Sequence, residues 1–421
     1  MKRNLLSNMS WLAVANILTK PIWFVFITAI CMRQLGVAEY GVMTVALALG
    51  MTVTGLTDLG ATRYSVREIA KDRSLAPSIA ANFISAKIVL LFFALVVSVI
   101  TGMAIGLGPS ALPGLLAATA YAMGMQLLNY CRGFYQAFAN LKLEAISLLS
   151  EKITVIALGL TGLFLFRSAE ATLSAMAIGM VLCVLTNIVW VNRNLFRISL
   201  ASASLSFFKG KIPALASLGL LGFLGIAYLR VDLVMLEAMK GSLASGQYGA
   251  AFRILEAMLV VPAIVSIAAT YPRLSSHVGR NEQSEFSKLV KVVTAGIFLV
   301  GLSSAIVVHL FAERIVVLID PNPLFEPTGQ SLKILVATFP LMCINSVLHS
   351  AMLALSKERI MLVVLIIGLS TNVALNLLWI PASGIFGASW ATVVAEVVVL
   401  AVLTLTYLAT DKSTFSEQFQ N

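Results

Sequence analysis

Residues 83–107 read FISAKIVLLFFALVVSVITGMAIGL, a run of 25 residues with a single charged side chain, Lys87. An α-helix rises 1.5 Å per residue, so about 20 apolar residues cross the roughly 30 Å hydrocarbon core of a bilayer. The run therefore predicts a membrane-spanning helix.

The rest of the chain repeats this pattern. Its 421 residues are 59% hydrophobic and 11% charged, whereas soluble globular proteins carry roughly 25% charged residues. Twelve segments are long enough to span a membrane: 11–32, 41–62, 83–107, 111–131, 145–166, 171–191, 212–239, 246–271, 289–311, 331–354, 360–380 and 384–409. We therefore predict an all-α polytopic membrane protein with twelve transmembrane helices. We interpret the N-terminal apolar run as the first transmembrane helix and not as a signal peptide, because the run is longer than that of a signal peptide.

The distribution of positive charge predicts the orientation of the chain. With the N-terminus in the cytoplasm, twenty-one of the 29 Lys and Arg residues fall in cytoplasmic segments or adjoining helix ends, among them Lys87, Arg132 and Lys152. Five fall on the outer side and three within the membrane. This positive-inside bias predicts that both termini are cytoplasmic and that the number of helices is even.

The two halves of the chain resemble each other. Residues 36-GVAEYGVMTVAL-47 resemble 244-ASGQYGAAFRIL-255, and 136-QAFANLKLEA-145 resemble 351-AMLALSKERI-360. We predict a six-helix bundle at 1–192, a basic cytoplasmic linker at 193–211 and a second six-helix bundle at 212–421. Since six is even, both bundles begin on the cytoplasmic side and are related by a pseudo-two-fold axis along the membrane normal, an architecture suited to alternating access.

Motifs of enzymes and metal sites are missing from the sequence. It has no G-x-x-x-x-G-K-[ST] loop and no H-E-x-x-H, and its three histidines and four cysteines show no ligand or disulfide spacing. No segment between the apolar runs exceeds about twenty residues, so a soluble catalytic domain does not fit. We expect a transporter without a cofactor or a bound metal.

Charged residues inside the apolar segments are the candidates for a functional site. Each costs roughly 2.5–3.5 kcal/mol at a helix centre, so such residues usually face a protein-lined or water-filled cavity. Arg230 and Asp232 lie in the run 228-YLRVDLVMLEAM-239. They are about 200° apart around a helix, which argues against a pair between them. Arg253 and Glu256 share a helix face, so a local ion pair is the alternative to a cavity role.

The excess charge inside the membrane is positive and indicates an anionic cargo. Lys20 precedes Pro21, which can kink a helix, although a lysine there can also extend to the headgroups. Arginine binds phosphate and carboxylate in a bidentate manner. The candidate cavity cations are Arg230, Arg253, Lys20 and Arg33. The candidate coupling or gating residues are Asp58, Asp232, Glu256 and Pro21.

Several segments resemble one known family. The stretch 35-LGVAEYGVMTVALALGMTVTGLTDLGATRYSVREIAK-71 resembles the opening of the Wzx-type O-antigen flippases, the polysaccharide-transporter branch of the MATE/MOP superfamily. The segments 133–153, 228–251 and 313–335 resemble later parts of the same family, in the same order.

The resemblance implies a function. It implies a flippase that moves an undecaprenyl-pyrophosphate-linked oligosaccharide from the cytoplasmic to the periplasmic leaflet of the bacterial inner membrane, for O-antigen of lipopolysaccharide or another surface polysaccharide. It further implies H⁺ or Na⁺ as coupling ion. Membrane lipids, the polysaccharide polymerase and chain-length proteins are the expected partners, and no nucleic acid is expected.

Three other classes remain open. A MATE-like multidrug antiporter predicts that acidic residues dominate the cavity. An intramembrane transferase or polymerase predicts a clustered acid–base site near one leaflet. An interaction scaffold predicts that removal of the buried charges changes nothing.

Overall fold

The computed structural model describes residues 15, 18–58 and 60–417, without the side chains of 213, 214, 217, 218, 268 and 411–417. The described chain consists of helices and short connections, and no strand occurs in these ranges. This confirms the predicted all-α class.

Eleven helices organise the described chain. They are α1 Leu18–Gly55, α2 Ala61–Lys71, α3 Ala76–Ala104, α4 Leu112–Ala137, α5 Leu141–Phe166, α6 Ala169–Asn194, α7 Ile212–Lys240, α8 Ser242–Gly279, α9 Gln283–Ile319, α10 Pro323–Ala354 and α11 Glu358–Glu417. Helix α8 includes a π-helical stretch, Ile264–Thr270, and α10 includes short 3₁₀ turns.

Ten of these helices within the described ranges are long and apolar enough to cross a membrane. Helix α1 and the apolar part of α11 have 38 and 53 residues, which is more than one crossing needs. Each is broken by a glycine with non-helical backbone angles, Gly36 in α1 and Gly384 in α11. Each therefore makes two passes, and the predicted twelve transmembrane helices are confirmed.

Two backbone features recur in the two halves. Gly36 (φ 73°, ψ 175°) and Gly241 (φ 78°, ψ −178°) each separate the first and second helices of a half, in a conformation open almost only to glycine. Ala139 and Ser356, which precede α5 and α11, both have φ 56°. These turns are what an internal repeat predicts. The symmetry axis itself stays a prediction.

Contacts divide the chain into two compact units, 1–230 and 231–421. The first part of α7 packs with the first unit, where Leu215 joins a cluster containing Phe83 and Tyr130. The predicted bundle boundaries at 192 and 212 follow the sequence repeat, and they stay a prediction.

The short helix α2 was not predicted. The second pass ends at Gly55, earlier than the expected residue 62, and Gly60 in the left-handed conformation (φ 68°) begins α2. Helix α2 buries Ala61, Ser65 and Ile69, one residue per turn, so it is amphipathic rather than membrane-spanning. Its exposed face is basic.

Glycines allow close packing within the first unit. A Cβ atom added to Gly50 would lie 2.9 Å from the backbone oxygen of Ala118, and one added to Gly162 would lie 2.6 Å from that of Ala171. Transmembrane helices commonly use small residues for such approach, because dispersion forces grow as backbones come together. The packing positions the buried polar groups of α4 and α5.

Candidate functional site

The predicted residues of α1 do not form one compact group. Lys20 and Pro21 are exposed, and a π-helical turn, Val25–Ile30, begins four residues after the proline. Arg33 is also exposed and lies 13 residues beyond Lys20, about 20 Å along a helix. One phosphate group cannot contact both side chains at that distance.

Asp58 lies in the turn after α1 and makes an ion pair that the sequence did not predict. Its Oδ1 accepts hydrogen bonds of 3.0 Å from both the Lys87 ammonium and the Thr62 hydroxyl. Lys87 is 2% exposed and also lies over the Tyr130 ring, 5.5 Å from its centroid. The sequence analysis counted Lys87 among the cytoplasmic segments and adjoining helix ends, which stays a prediction. The structure adds that this lysine is buried, eleven residues after the start of α3.

A second buried ionic group joins α4 and α5. The Arg132 Nη2 donates to Glu151 Oε2 at 2.6 Å and to the Ser147 carbonyl at 2.9 Å. The Lys152 ammonium lies 2.7 Å from Glu151 Oε1 and 4.4 Å from the centroid of the Trp23 ring. Arg132 and Glu151 are nearly fully buried. The placement of Arg132 and Lys152 on the cytoplasmic side stays a prediction. Arg132 lies five residues before the end of α4, and Lys152 lies eleven residues after the start of α5.

The helices begin before the predicted spans at 83 and 145, so the sequence did not show how deep the two lysines lie. Lys87 and Lys152 each stand more than two turns inside a helix, well beyond the reach of a terminal residue. Positive-inside counting treats every cation near a short loop alike, so it does not separate a headgroup lysine from a buried one.

Asp232 is the centre of a buried hydrogen-bonded cluster in the second unit. Its carboxylate accepts hydrogen bonds from Tyr248 Oη at 2.8 Å, Thr392 Oγ1 at 2.9 Å and Asn376 Nδ2 at 2.5 Å. Asn376 also donates to Asn372 Oδ1 at 2.8 Å. Among the described residues, Asn376 Oδ1 receives no hydrogen bond, although the side chain is fully buried.

The remaining predicted charges lie near this region of the sequence. Arg253 donates to Glu256 across one turn of α8 at 2.9 Å, as the local ion pair requires. Arg230 is half-buried, whereas Asp232 is 3% exposed. The two therefore lie in different surroundings, as the predicted angular separation indicates.

The buried groups of the two units differ in charge. In the first unit, Lys87, Arg132 and Lys152 pair with the carboxylates of Asp58 and Glu151. In the second unit, the donors to the Asp232 carboxylate are the neutral side chains of Tyr248, Asn376 and Thr392. The first group can bind an anion, and the second offers carboxylate, amide and hydroxyl oxygens to a small cation.

Comparison with known families identifies the family of the chain. The family model described as polysaccharide biosynthesis protein matches residues 5–278. The chain belongs to this polysaccharide biosynthesis protein family. The MatE family model matches residues 222–378, and no curated protein sequence matches the chain.

Three solved structures show the fold of this polysaccharide biosynthesis family member. An inward-facing multidrug resistance MATE family transporter of the MOP superfamily has 15% identity and a TM-score of 0.76 over 93% of this chain and 95% of that one. The lipid II flippase MurJ, inward closed, has 13% identity and a TM-score of 0.74 over 97% and 91%. A MOP superfamily transporter from Pyrococcus furiosus has 17% identity and a TM-score of 0.61 over 97% and 94%. These likenesses show that the chain has the same fold as these solved proteins.

Proposed function

We propose that the protein is a flippase for a lipid-linked oligosaccharide, with an undecaprenyl-pyrophosphate carrier as its substrate class. It moves this substrate from the cytoplasmic to the periplasmic leaflet by alternating access, for O-antigen or another surface polysaccharide. The observation that carries the proposal is the match of residues 5–278 to the polysaccharide biosynthesis family.

The cations within the apolar segments support an anionic substrate. A pyrophosphate carries its charge on oxygens that arginine and lysine bind well. We assign this role to the predicted cations Arg230, Arg253, Lys20 and Arg33, and add Arg132 and Lys152 from the structure. The Pyrococcus furiosus transporter offers a parallel, since a binding pocket of reverse polarity suggests a different function for it.

The Asp232 cluster is the proposed coupling site. A carboxylate, two amide oxygens and a hydroxyl are ligands that Na⁺ accepts, and a buried carboxylate can alternatively take up a proton. The buried Asn376 Oδ1 has no hydrogen bond within the described ranges, which favours the cation. Moving one charge across 100 mV supplies about 2.3 kcal/mol, enough to bias two conformations more than tenfold.

The proposed setting is the bacterial inner membrane with both termini in the cytoplasm, following the distribution of Lys and Arg. The proposed partners beyond the substrate and coupling ion are membrane lipids and the enzymes that polymerise the sugar chain. Asp58, Glu256 and Pro21 are proposed to gate the transport cycle.

A multidrug antiporter is the second candidate. The match of residues 222–378 to the MatE model favours it, together with the buried carboxylate of Asp232. Its cargo would be cationic, and its cavity would depend on acids rather than on arginine and lysine.

A complementation experiment separates these functions. A strain lacking the gene receives the wild type, Arg230→Ala, Lys152→Ala or Lys20→Ala, each with membrane expression checked. We expect the wild type to restore surface polysaccharide. We expect the variants to accumulate lipid-linked oligosaccharide that stays accessible only from the cytoplasmic side.

The control is Lys288→Ala, which removes an exposed cation at the start of α9. It should restore polymer as well as the wild type does. Unchanged surface polymer in the deletion strain, combined with new sensitivity to cationic drugs, would replace the flippase by the antiporter.

A further inference from the structure

The linker between α6 and α7 is strongly basic. Residues 193–211 contain Arg193, Arg197, Lys209 and Lys211, and no Asp or Glu occurs from residue 171 to residue 231. The side chains of Arg193, Arg197 and Lys209 are exposed. A four-charge segment without acids attracts anions at short range.

Side-chain contacts attach this linker firmly to the first unit. The Ser204 amide donates to Asn82 Oδ1 on α3 at 2.7 Å. Phe207 and Phe208 meet the Phe83 ring edge-on, with centroids 5.7 and 5.4 Å away. The linker cations are therefore presented at defined positions next to the start of α3.

The amphipathic helix α2 adds a second basic element at the same end of this unit. Its Tyr64 and the linker Phe207 both pack on one cluster around Phe83. The exposed cations of α2 and the turn after it are Arg63, Arg67, Lys71 and Arg73. The Arg73 guanidinium lies 5.1 Å from the Phe138 ring, which stacks on Phe196 of the linker.

The acids of α2 do not cancel this charge. Glu68 bonds to Lys71 at 3.2 Å and to Arg67 at 2.8 Å, and the hydrogen bond from Lys71 is the main reason that the pKa of its carboxyl is lowered. Asp72 accepts from the hydroxyl and amide of Ser74, which lowers its pKa. Eight cations and two acids thus occupy the two elements.

An apolar cleft adjoins the basic surface. Its volume is about 160 Å³ and it lies between the start of α3 and the linker. Its lining residues are Asn82, Ser85, Ala86, Val89, Ala203, Ser204, Leu205 and Phe208. Leu205 is 90% exposed and Val89 is 57% exposed. A leucine so exposed gains free energy when hydrocarbon replaces the water around it.

We propose that the linker and α2 together bind an anionic phospholipid of the cytoplasmic leaflet. Lys209 and the neighbouring arginines bind the headgroup phosphate, an acyl chain occupies the cleft beside Val89, and Leu205 inserts into the bilayer interface. A basic surface continuous with exposed apolar side chains is the arrangement that binds an anionic membrane interface. A soluble acidic partner would leave Leu205 and the cleft in water.

The test measures which lipid surrounds the linker in the full-length protein. The four native cysteines are buried, so Ala201→Cys accepts a fluorophore selectively on the exposed 3₁₀ turn of the linker. The labelled protein is placed in nanodiscs that contain equal mole fractions of nitroxide-labelled phosphatidylglycerol or nitroxide-labelled phosphatidylcholine. We expect phosphatidylglycerol to quench about three-fold more strongly at low salt, and the preference to shrink at high salt.

Two charge variants and one control decide the outcome. Lys209→Gln/Lys211→Gln should abolish the preference for phosphatidylglycerol, and so should Arg193→Gln/Arg197→Gln, which leaves the contact of Lys211 with the Phe207 carbonyl intact. Lys288→Gln/Lys291→Gln removes two exposed cations of α9 and should leave the preference unchanged.

Equal quenching by the two lipids in the unaltered linker would overturn the proposal. An equal loss in the α9 control would overturn it as well, because the preference would then come from the net positive charge of the cytoplasmic side.

Discussion

Lys87 and Asp232 are both almost completely buried in apolar helices, and their charges are compensated differently. Lys87 has a carboxylate partner at 3.0 Å, whereas Asp232 is bonded to hydroxyl and amide donors. A buried ion pair is neutral as a unit, whereas a buried carboxyl group among neutral donors has no counter-charge and can take up a cation or a proton. The two residues should therefore respond differently to neutralisation.

The Asp232→Asn substitution tests the coupling site. Wild-type protein in detergent should unfold at a higher temperature in NaCl than in choline chloride at the same ionic strength, because a bound ion stabilises the folded state. Asp232→Asn should remove this difference and abolish transport, since the amide supplies no net charge. Thermal unfolding with an intrinsic fluorescence readout measures the shift.

The matched control is Asp320→Asn, which neutralises another buried carboxylate, at the end of α9. It should keep the sodium-dependent shift. A wild type that gains no stability from Na⁺ but transports in proportion to the pH gradient would assign the site to a proton instead.

Asp58 and Lys87 allow a second test, which separates a coupling role from a structural one. Asp58→Asn leaves the Lys87 ammonium buried without its carboxylate, and loss of one partner of a buried pair typically costs about 3–5 kcal/mol. Asp58→Asn/Lys87→Met removes both charges and should be more stable than the single variant. The free energies of unfolding of the wild type, the two single variants and the double variant, measured by chemical or thermal unfolding, complete the double-mutant cycle.

A purely coupling Asp58 would behave in the opposite way. Asp58→Asn would then abolish transport with little change in stability, and the Lys87→Met substitution would restore nothing. Recovery of folding in the double variant therefore supports a structural pair and removes Asp58 from the proposed coupling residues.

The sequence predicts local contacts between charges but not distant ones. Arg253 and Glu256 are three residues apart, so helical geometry alone predicts their ion pair. Asp232 meets Asn376 and Thr392 only because α7 and α11 come together, across 144 and 160 residues. Periodicity contains no information on such partners, and Tyr248 and Thr392 were not among the predicted site residues.

At the scale of elements, helices α5 and α6 depend on a glycine at their closest approach. A Cβ on Gly162 would lie 2.6 Å from the Ala171 carbonyl oxygen and 2.9 Å from the Ala175 Cβ. Gly162→Ala should therefore destabilise the protein by about 1–3 kcal/mol, since backbone atoms must shift. A lower thermal unfolding midpoint is the expected measurement.

Gly296 provides the comparison for Gly162. It lies inside α9, and a Cβ added there meets nothing within 4 Å. Gly296→Ala should be neutral or stabilise by up to about 1 kcal/mol, because alanine is the better helix former. If both substitutions raised the midpoint, the close approach of α5 and α6 would not limit stability.

The predicted spans agree with the helices wherever apolar length decides, as in α5 and α6. They fail where a helix ends within an apolar or weakly polar stretch. The segment after Gly55 was assigned to the second pass, yet the backbone turns at Gly60 and continues as α2. The second pass ends and α2 begins because Gly60 adopts a left-handed conformation and because α2 buries only one residue per turn. Hydropathy averaged over a long window detects neither feature.

At the scale of the whole molecule, twelve crossings follow from ten helical segments only because two glycines reverse the chain. Gly36 and Gly384 adopt positive φ values of 73° and 53° inside otherwise continuous helices. An even number of crossings is also what the distribution of Lys and Arg requires. The fold was therefore predictable from apolar length and charge, whereas the backbone angles at the two breaks were not.

The last prediction concerns the side of the membrane on which each connection between crossings lies. Exposed residues in or near successive connections report the orientation, with Ser202 in the linker and Ser276 near the end of α8 expected in the cytoplasm. Ser110, between α3 and α4, is expected on the periplasmic side, as is Glu326 near the start of α10. Each is replaced by cysteine in turn, and the native thiols are buried.

A membrane-impermeant maleimide applied to spheroplasts should label only the cysteines at 110 and 326. Those at 202 and 276 should react only after the membrane is permeabilised. Because the four sites fall in both halves of the chain, the pattern tests whether each half begins on the cytoplasmic side. If Ser276→Cys reacted in intact spheroplasts, the second half would be inverted relative to the first, and a repeat with both halves in the same orientation would have to be abandoned.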